Sequence, residues 1–282
     1  MSRVAIVTDS ASDMDPARAA SLGIAVVPLL VTFGNDTYEA GKNLSIDEFW
    51  QRMTAPDAPF PKTAACSPGS FQAIYQRLFD EGAESIVSIH VADSLSGTIK
   101  SAQVARASMQ DRDIQIVDSM SASMGEGILA ELAVSMANEG STATQIAETL
   151  NRRRDDLHIY LALETLEYLK RGGRISGARA AIGTLLSVKP IIEVKRGQVD
   201  TADRVRTRGK ARERLIELLT ERPIERLAVL HTTNAGVEEF TNEVVARAGL
   251  DRSQVTIDIV GASVGPHVGP GCVGGVALYK SN

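Results

Sequence analysis

Three hydroxyl-rich loops are the first places in this chain where side chains could do chemistry. Thr8-Asp9-Ser10 follows an apolar run, Lys62 to Gly69 (KTAACSPG) precedes a helix-like stretch, and Asp93 to Thr98 (DSLSGT) follows another apolar run. Hydroxyl groups at the carboxyl ends of strands, next to helix N-termini, suit an anionic or hydrogen-bonding ligand. Their plainer use is as N-caps and turn formers, and each loop alone fits that use. A fourth loop, Gly265 to Gly271 (GPHVGPG), sets His267 among glycines and prolines. Glycine lets backbone approach a ligand closely, and the histidine could give one hydrogen bond to a carboxylate, charged or neutral. The alternative is a structural histidine in a tight turn.

A basic glycine turn, Leu169 to Ser176 (LKRGGRIS), and the stretch Lys195–Arg212 supply the cations. On an acidic chain they suit a specific acidic partner or a phosphate, or simply a solvated face. His90, His158, His231 and His267 are scattered, with no metal-ligand spacing, so no metal site is expected. Neither a Walker-type phosphate loop, a dinucleotide glycine fingerprint, a zinc-protease helix nor a nucleophile elbow occurs. Cys66 and Cys272 are too few for a disulfide scaffold and read as unpaired thiols.

Positioning these loops requires strands and helices in alternation. Val4–Thr8, Ile24–Thr32, Ser85–His90 and Ile114–Val117 are short apolar runs of the kind buried on both faces of a parallel sheet. Helical patterns over Asp15–Leu22, Asp47–Met53, Pro68–Phe79 and Ser96–Met109 separate them. Ala122–Ala137 is almost free of polar residues, so it is either buried core or the wall of an apolar cavity. Past the charged patch Arg152–Asp156 the pattern becomes mixed, with strands over His158–Leu163, Pro190–Val194, Arg226–Thr232, Val255–Ile259 and Val273–Tyr279. The expected fold is α/β in two domains. Residues 1–153 form a three-layer α/β/α unit on a parallel sheet, and residues 154–282 a two-layer α/β unit on a mixed sheet.

The chain has 282 residues, 44% hydrophobic and 23% charged, with a formal net charge of −5. That excludes disordered and low-complexity classes, and gives no general attraction to nucleic acid or anionic membranes. Aromatics are 4% with Trp50 alone, which argues against a base-stacking surface. The longest apolar run, Gly23 to Phe33, is about half a membrane span and contains Pro28. The N-terminus reads as a first strand and not as a signal peptide, so the expected setting is cytoplasmic, without membrane insertion.

Taken in order, these segments resemble the DegV family of fatty-acid-binding proteins (FakB-like). The resemblance rests on VTDSASDM at Val7–Met14, T-x-x-x-S-P-G at Thr63–Gly69, LSGT at Leu95–Thr98 and VDSMSASMGEG at Val117–Gly127. LEYLKRGGRISG at Leu166–Gly177, KPII at Lys189–Ile192, VRTRGKA at Val205–Ala211 and GPHVGPG at Gly265–Gly271 complete it. Family members often read T-S-x-P-S where this chain has Thr63-Ala64-Ala65-Cys66-Ser67, and Pro266 is an unusual neighbour for the histidine.

The resemblance implies a carrier without catalytic activity or cofactor, holding one long-chain fatty acid in an apolar tunnel. Thr63, Ser96 and His267 would hold the carboxylate, with Ser67, Gly97 and Thr98 in the secondary loop of the head group. A fatty acid kinase would phosphorylate the bound carboxylate for phospholipid synthesis. Arg174 and Arg206 match the positions facing that kinase or the new phosphate, with Arg204 and Arg208 as adjacent alternatives to Arg206. Tunnel walls are expected from Met124, Ile128 and Leu132 and from Ile182 and Leu186. Burying a methylene contributes roughly 0.8 kcal/mol, so a chain of about 15 contributes on the order of 10 kcal/mol before the ordering costs of binding. Hydroxyl and histidine donors offset the burial of the carboxylate yet leave it nucleophilic. The competing reading is a Ser/His acyl hydrolase or transferase using Ser96 and His267.

Overall fold

A computed structural model describes residues 3–175, 188–232 and 236–281. The first half runs β1 (Val4–Asp9), α1 (Pro16–Ser21), β2 (Ile24–Val27), β3 (Leu30–Phe33), β4 (Asp36–Glu39), α2 (Ile46–Met53) and β5 (Lys62–Ala64). It continues with α3 (Pro68–Asp80), β6 (Ser85–His90), α4 (Thr98–Ala107), β7 (Asp113–Asp118), α5 (Met124–Asn138) and α6 (Ala143–Arg153). The second half runs β8 (Leu157–Ala162), α7 (Glu167–Gly172), β9 (Lys189–Lys195), β10 (Gln198–Val205), α8 (Arg208–Leu219) and β11 (Ile224–His231). α9 (Val237–Ala248), β12 (Val255–Ile259), α10 (Gly265–Val268) and β13 (Val273–Tyr279) complete it.

Strands β2-β1-β6-β7 form a parallel sheet. Its residues alternate between two cores. Ile6, Val87, Ile89 and Val117 face one, with α5 and α6; Val7, Ile86 and Ile114 face the other, with α3 and α4. Both faces are therefore covered, which explains the lack of polar alternation in these strands. Strands β10-β9-β8-β13-β11-β12 form a mixed sheet, antiparallel except for the β11–β12 pair. Helices α8 and α9 pack on one of its faces, through Leu215, Leu219, Phe240 and Val244.

Two local readings change. The run Ile24–Thr32 is not one strand. It breaks at Pro28, which has no N–H to give to a ladder, into β2 and β3. The second piece joins a small antiparallel sheet, β4-β3-β5, in which Val31 pairs with Thr63. Thr63 thus sits on an edge strand and not in a loop.

The apolar helix α5 packs on β1 and β6 and also on β8, β11 and β13. It lies between the two large sheets, and its all-round apolar surface is explained by having sheet on both sides.

Candidate functional site

A cavity with about 850 Å3 of empty space, mouth included, opens where the carboxyl ends of the parallel strands meet the face of the mixed sheet. From the first half come Ala11, Leu29, Val91 and Leu95 together with Thr63, Ser96 and Gly97. From the mixed sheet come Ile159, Leu161, Ile192, Val194 and Val199. These five share one sheet face: Ile159 pairs with Val194, Leu161 with Ile192, and Val199 with Val194. Their alternation with His158, Tyr160 and Glu193 was the signal in the sequence for this wall, since the latter three hydrogen-bond to one another on the opposite face.

The polar groups come from separate elements. On β5, the Thr63 hydroxyl lies 3.2 Å from Nε2 of His267, which is carried by the short helix α10. Ser96 precedes α4, and its hydroxyl lies 2.8 Å from that of Thr98, the buried first residue of the helix. Gly97, the N-cap of α4, lines the cavity without offering a side chain, so the free N–H groups of that helix start are near the cavity wall. Ser263 also lines it, with its hydroxyl 2.8 Å from that of Ser10.

Arg174 is in the wall too. Its Nε donates to the carbonyl of Leu95 at 3.0 Å and its Nη1 to that of Gly172 at 2.7 Å. Burial first, and then the Arg174 charge, push His267 down to about 4, so the ring is neutral near pH 7.

Other expected residues fall elsewhere. Ser67 is exposed and caps α3 by accepting the N–H of Ser70. Arg206 is exposed between β10 and α8, Arg204 is exposed within β10, and Arg208 is paired with Glu164 at 3.1 Å. None of these three lines the cavity. Met124, Ile128 and Leu132 do not form its wall. Met124 and Ile128 are buried in the core between the sheets, and Leu132 packs against that core. Helix α5 reaches the cavity only through the preceding Ala122 and Ser123. Ile182 and Leu186 lie outside the described residues. Both cysteines are free and buried, in different cores.

A second polar cluster lies at the end of β1. His90 Nδ1 is 3.0 Å from Asp9 Oδ2 and its Nε2 is 2.6 Å from Ser88 Oγ, which also accepts from Tyr75. The order is that of a Ser-His-Asp triad, but all four side chains are sealed in the core and none lines the cavity. Asp9, His90 and Glu126 also bring ligand-type atoms within 4.8 Å of one another. Protein groups already engage both oxygens of Asp9 and both ring nitrogens of His90. Burial first, and then the Asp9 charge, hold Glu126 well above the usual carboxylate range, and its Oε1 accepts from the Thr8 hydroxyl and from the Asp9 N–H.

Residues 3–280 match the family described as "Uncharacterised protein, DegV family". The chain belongs to the DegV family. A DegV domain-containing protein of Deinococcus radiodurans is 35% identical over 280 residues, 98% of each chain. One of Streptomyces coelicolor is 34% identical over 290 residues, 99% of this chain and all of the relative. Among solved structures, a Thermus thermophilus DegV protein described for fatty acid binding superposes at TM-score 0.90 with 34% identity. It covers 99% of this DegV chain and 100% of its own. A stearic acid-binding protein of Eubacterium ventriosum superposes at 0.86 with 27% identity, covering 99% and 98%.

Proposed function

We propose that this DegV protein holds one long-chain fatty acid in the cavity between its two sheets and presents the carboxylate to a fatty acid kinase. The observation that carries the reading is the convergence of Thr63, Ser96 and His267 on one cavity whose remaining wall is mostly apolar. Five aliphatic side chains of the mixed sheet offer the methylene chain a dry surface. Two hydroxyls and a neutral imidazole offset the cost of burying the carboxylate. The fatty-acid-binding descriptions of the Thermus and Eubacterium proteins support the ligand class. On this reading residues 1–153 and 154–282 are two domains with the ligand between them, acting in the cytoplasm without cofactor or metal. Arg206, exposed beyond β10, is the residue for the kinase or the acyl-phosphate. Arg174 serves the same step from within the cavity wall.

Mass spectrometry of lipids extracted from the purified protein tests this directly. A stoichiometric long-chain acid is expected. An empty extract, with no binding of added palmitate or oleate, overturns it.

A hydrolase using Ser96 and His267 fits less well. The hydroxyl partner of His267 is Thr63, that of Ser96 is Thr98, and among the described residues no carboxylate or other hydrogen-bond partner orients His267 Nδ1. Turnover of p-nitrophenyl esters, abolished by Ser96→Ala, would restore that reading.

A further inference from the structure

The imidazole of His267 is bonded on one side only. Its Nε2 faces Thr63, whereas Nδ1 is buried without a partner among the described residues. Nδ1 lies against the end of α7, where a Cβ on Gly172 would land on it. Arg174 lines the same cavity wall, and its guanidinium is fixed by the carbonyls of Gly172 and Leu95. The charge of Arg174 is the one that bears on the ring among the described residues. On α7, Glu167, Lys170 and Arg171 are exposed, with Glu167 and Arg171 paired to each other, and Lys62 on β5 is exposed.

A proton on Nδ1 would be a buried donor with no acceptor, facing a fixed cation. A bare Nδ1 lone pair there is favoured by the same cation. We infer that the Gly172–Arg174 turn is a positioning device that keeps His267 in the Nε2–H tautomer, so that the ring meets its ligand as a neutral donor. Nε2–H then donates to the Thr63 oxygen in the empty site, which frees the Thr63 O–H to donate to a carboxylate. In the occupied site both groups donate to the anion without adding a positive charge, and the carboxylate keeps its own charge. Arg174 does further work by joining the end of α7 to Leu95, the residue before Ser96. The inference rests on the fatty-acid reading for its ligand but not for its tautomer.

The test is nitrogen-15 NMR of the full chain, labelled at histidine and stripped of lipid, with the His267 signals assigned by their loss in His267→Gln. The expected result is the Nε2–H pattern, unchanged from pH 5.5 to 8, and an oleate affinity that is flat over that range. In Arg174→Ala the His267 midpoint should rise by about one unit, a tenfold gain in proton affinity. Oleate should then bind more tightly only as the pH falls toward that raised midpoint, and Arg174→Lys should restore the flat profile. An Nδ1–H pattern in the natural protein, or an ordinary titration near 6.5, overturns the inference. So does an Arg174→Ala protein whose His267 signals and pH profile are unmoved. If Arg174→Ala fails to fold, the tautomer of the natural protein decides alone. Failure of the natural protein to bind oleate at pH 7.5 instead overturns the fatty-acid reading, and leaves the tautomer measured on empty protein standing.

Discussion

Thr63 and His267 are 204 positions apart in sequence, yet their side chains lie 3.2 Å apart in the wall of one cavity. Neither residue could form a site alone. An edge strand of the small sheet presents the hydroxyl, and a one-turn helix packed on α7 presents the ring.

Removing either donor should weaken fatty-acid retention while leaving the fold intact. A hydrogen bond to a charged group contributes roughly 1.5–3 kcal/mol, so Thr63→Ala or His267→Ala should lower oleate affinity by about tenfold to a hundredfold. Titration with oleate and a thermal melt of each variant check both halves of the statement. Unchanged affinity in both variants would move the head group elsewhere.

The wall formed by the mixed sheet predicts a steric block. Val194→Phe places a ring beside Ile159 and Val199, in space that is open. Binding of long-chain acids should fall sharply, and stability should change by less than about 2 kcal/mol. A decanoate-to-stearate binding series, with a urea melt, separates blocking from unfolding.

Asp13 couples the halves and carries a pH signature. Its Oδ1 accepts the N–H of Gly261 at 2.9 Å, and burial pushes its carboxyl up to about 7 from 3.8. Between those values the folded protein keeps a proton that the unfolded chain has lost. Stability from this group is therefore full below about 4, falls as the pH rises to 7, and is flat above. Asp13→Asn, which keeps the acceptor and cannot ionise, should stabilise by roughly 1–3 kcal/mol at pH 8 and much less at pH 5. Urea melts at the two pH values read the difference directly.

Gly265 begins α10 against an aromatic wall. A Cβ there would lie 2.5 Å from Phe49 Cε1 and 3.0 Å from Trp50 Cζ2, both rings being buried. Gly265→Ala should cost about 1–3 kcal/mol through this overpacking. It should also reduce oleate binding, because the displaced helix carries His267. A normal melting temperature with normal binding would show that the rings give way.

Much of the architecture is legible in the residues themselves. Apolar runs without polar alternation mark strands covered on both faces, and Ile6 with Val7 and Ile86 with Val87 divide between two cores as that reading requires. Ser67-Pro68 marks the start of α3, with cap and first-turn proline in place. The ordered motifs carry the family. Thr63, Ser96 and His267 stand out through it, because their shared place in one wall brings together segments 33 to 204 positions apart, which no local pattern encodes.

Tertiary structure alone decided which apolar surface lines the cavity. The composition of α5 shows a helix with no polar face, but an apolar helix looks the same whether its neighbours fill the space around it or leave a gap. Two sheets close on α5, so Met124 and Ile128 are core, while the gap opens over β8, β9 and β10. Likewise the basic character of Arg174 was plain, but not its direction. Two backbone carbonyls, that of Gly172 at the end of α7 and that of Leu95 before α4, hold it in the cavity wall, and only the folded chain brings them together.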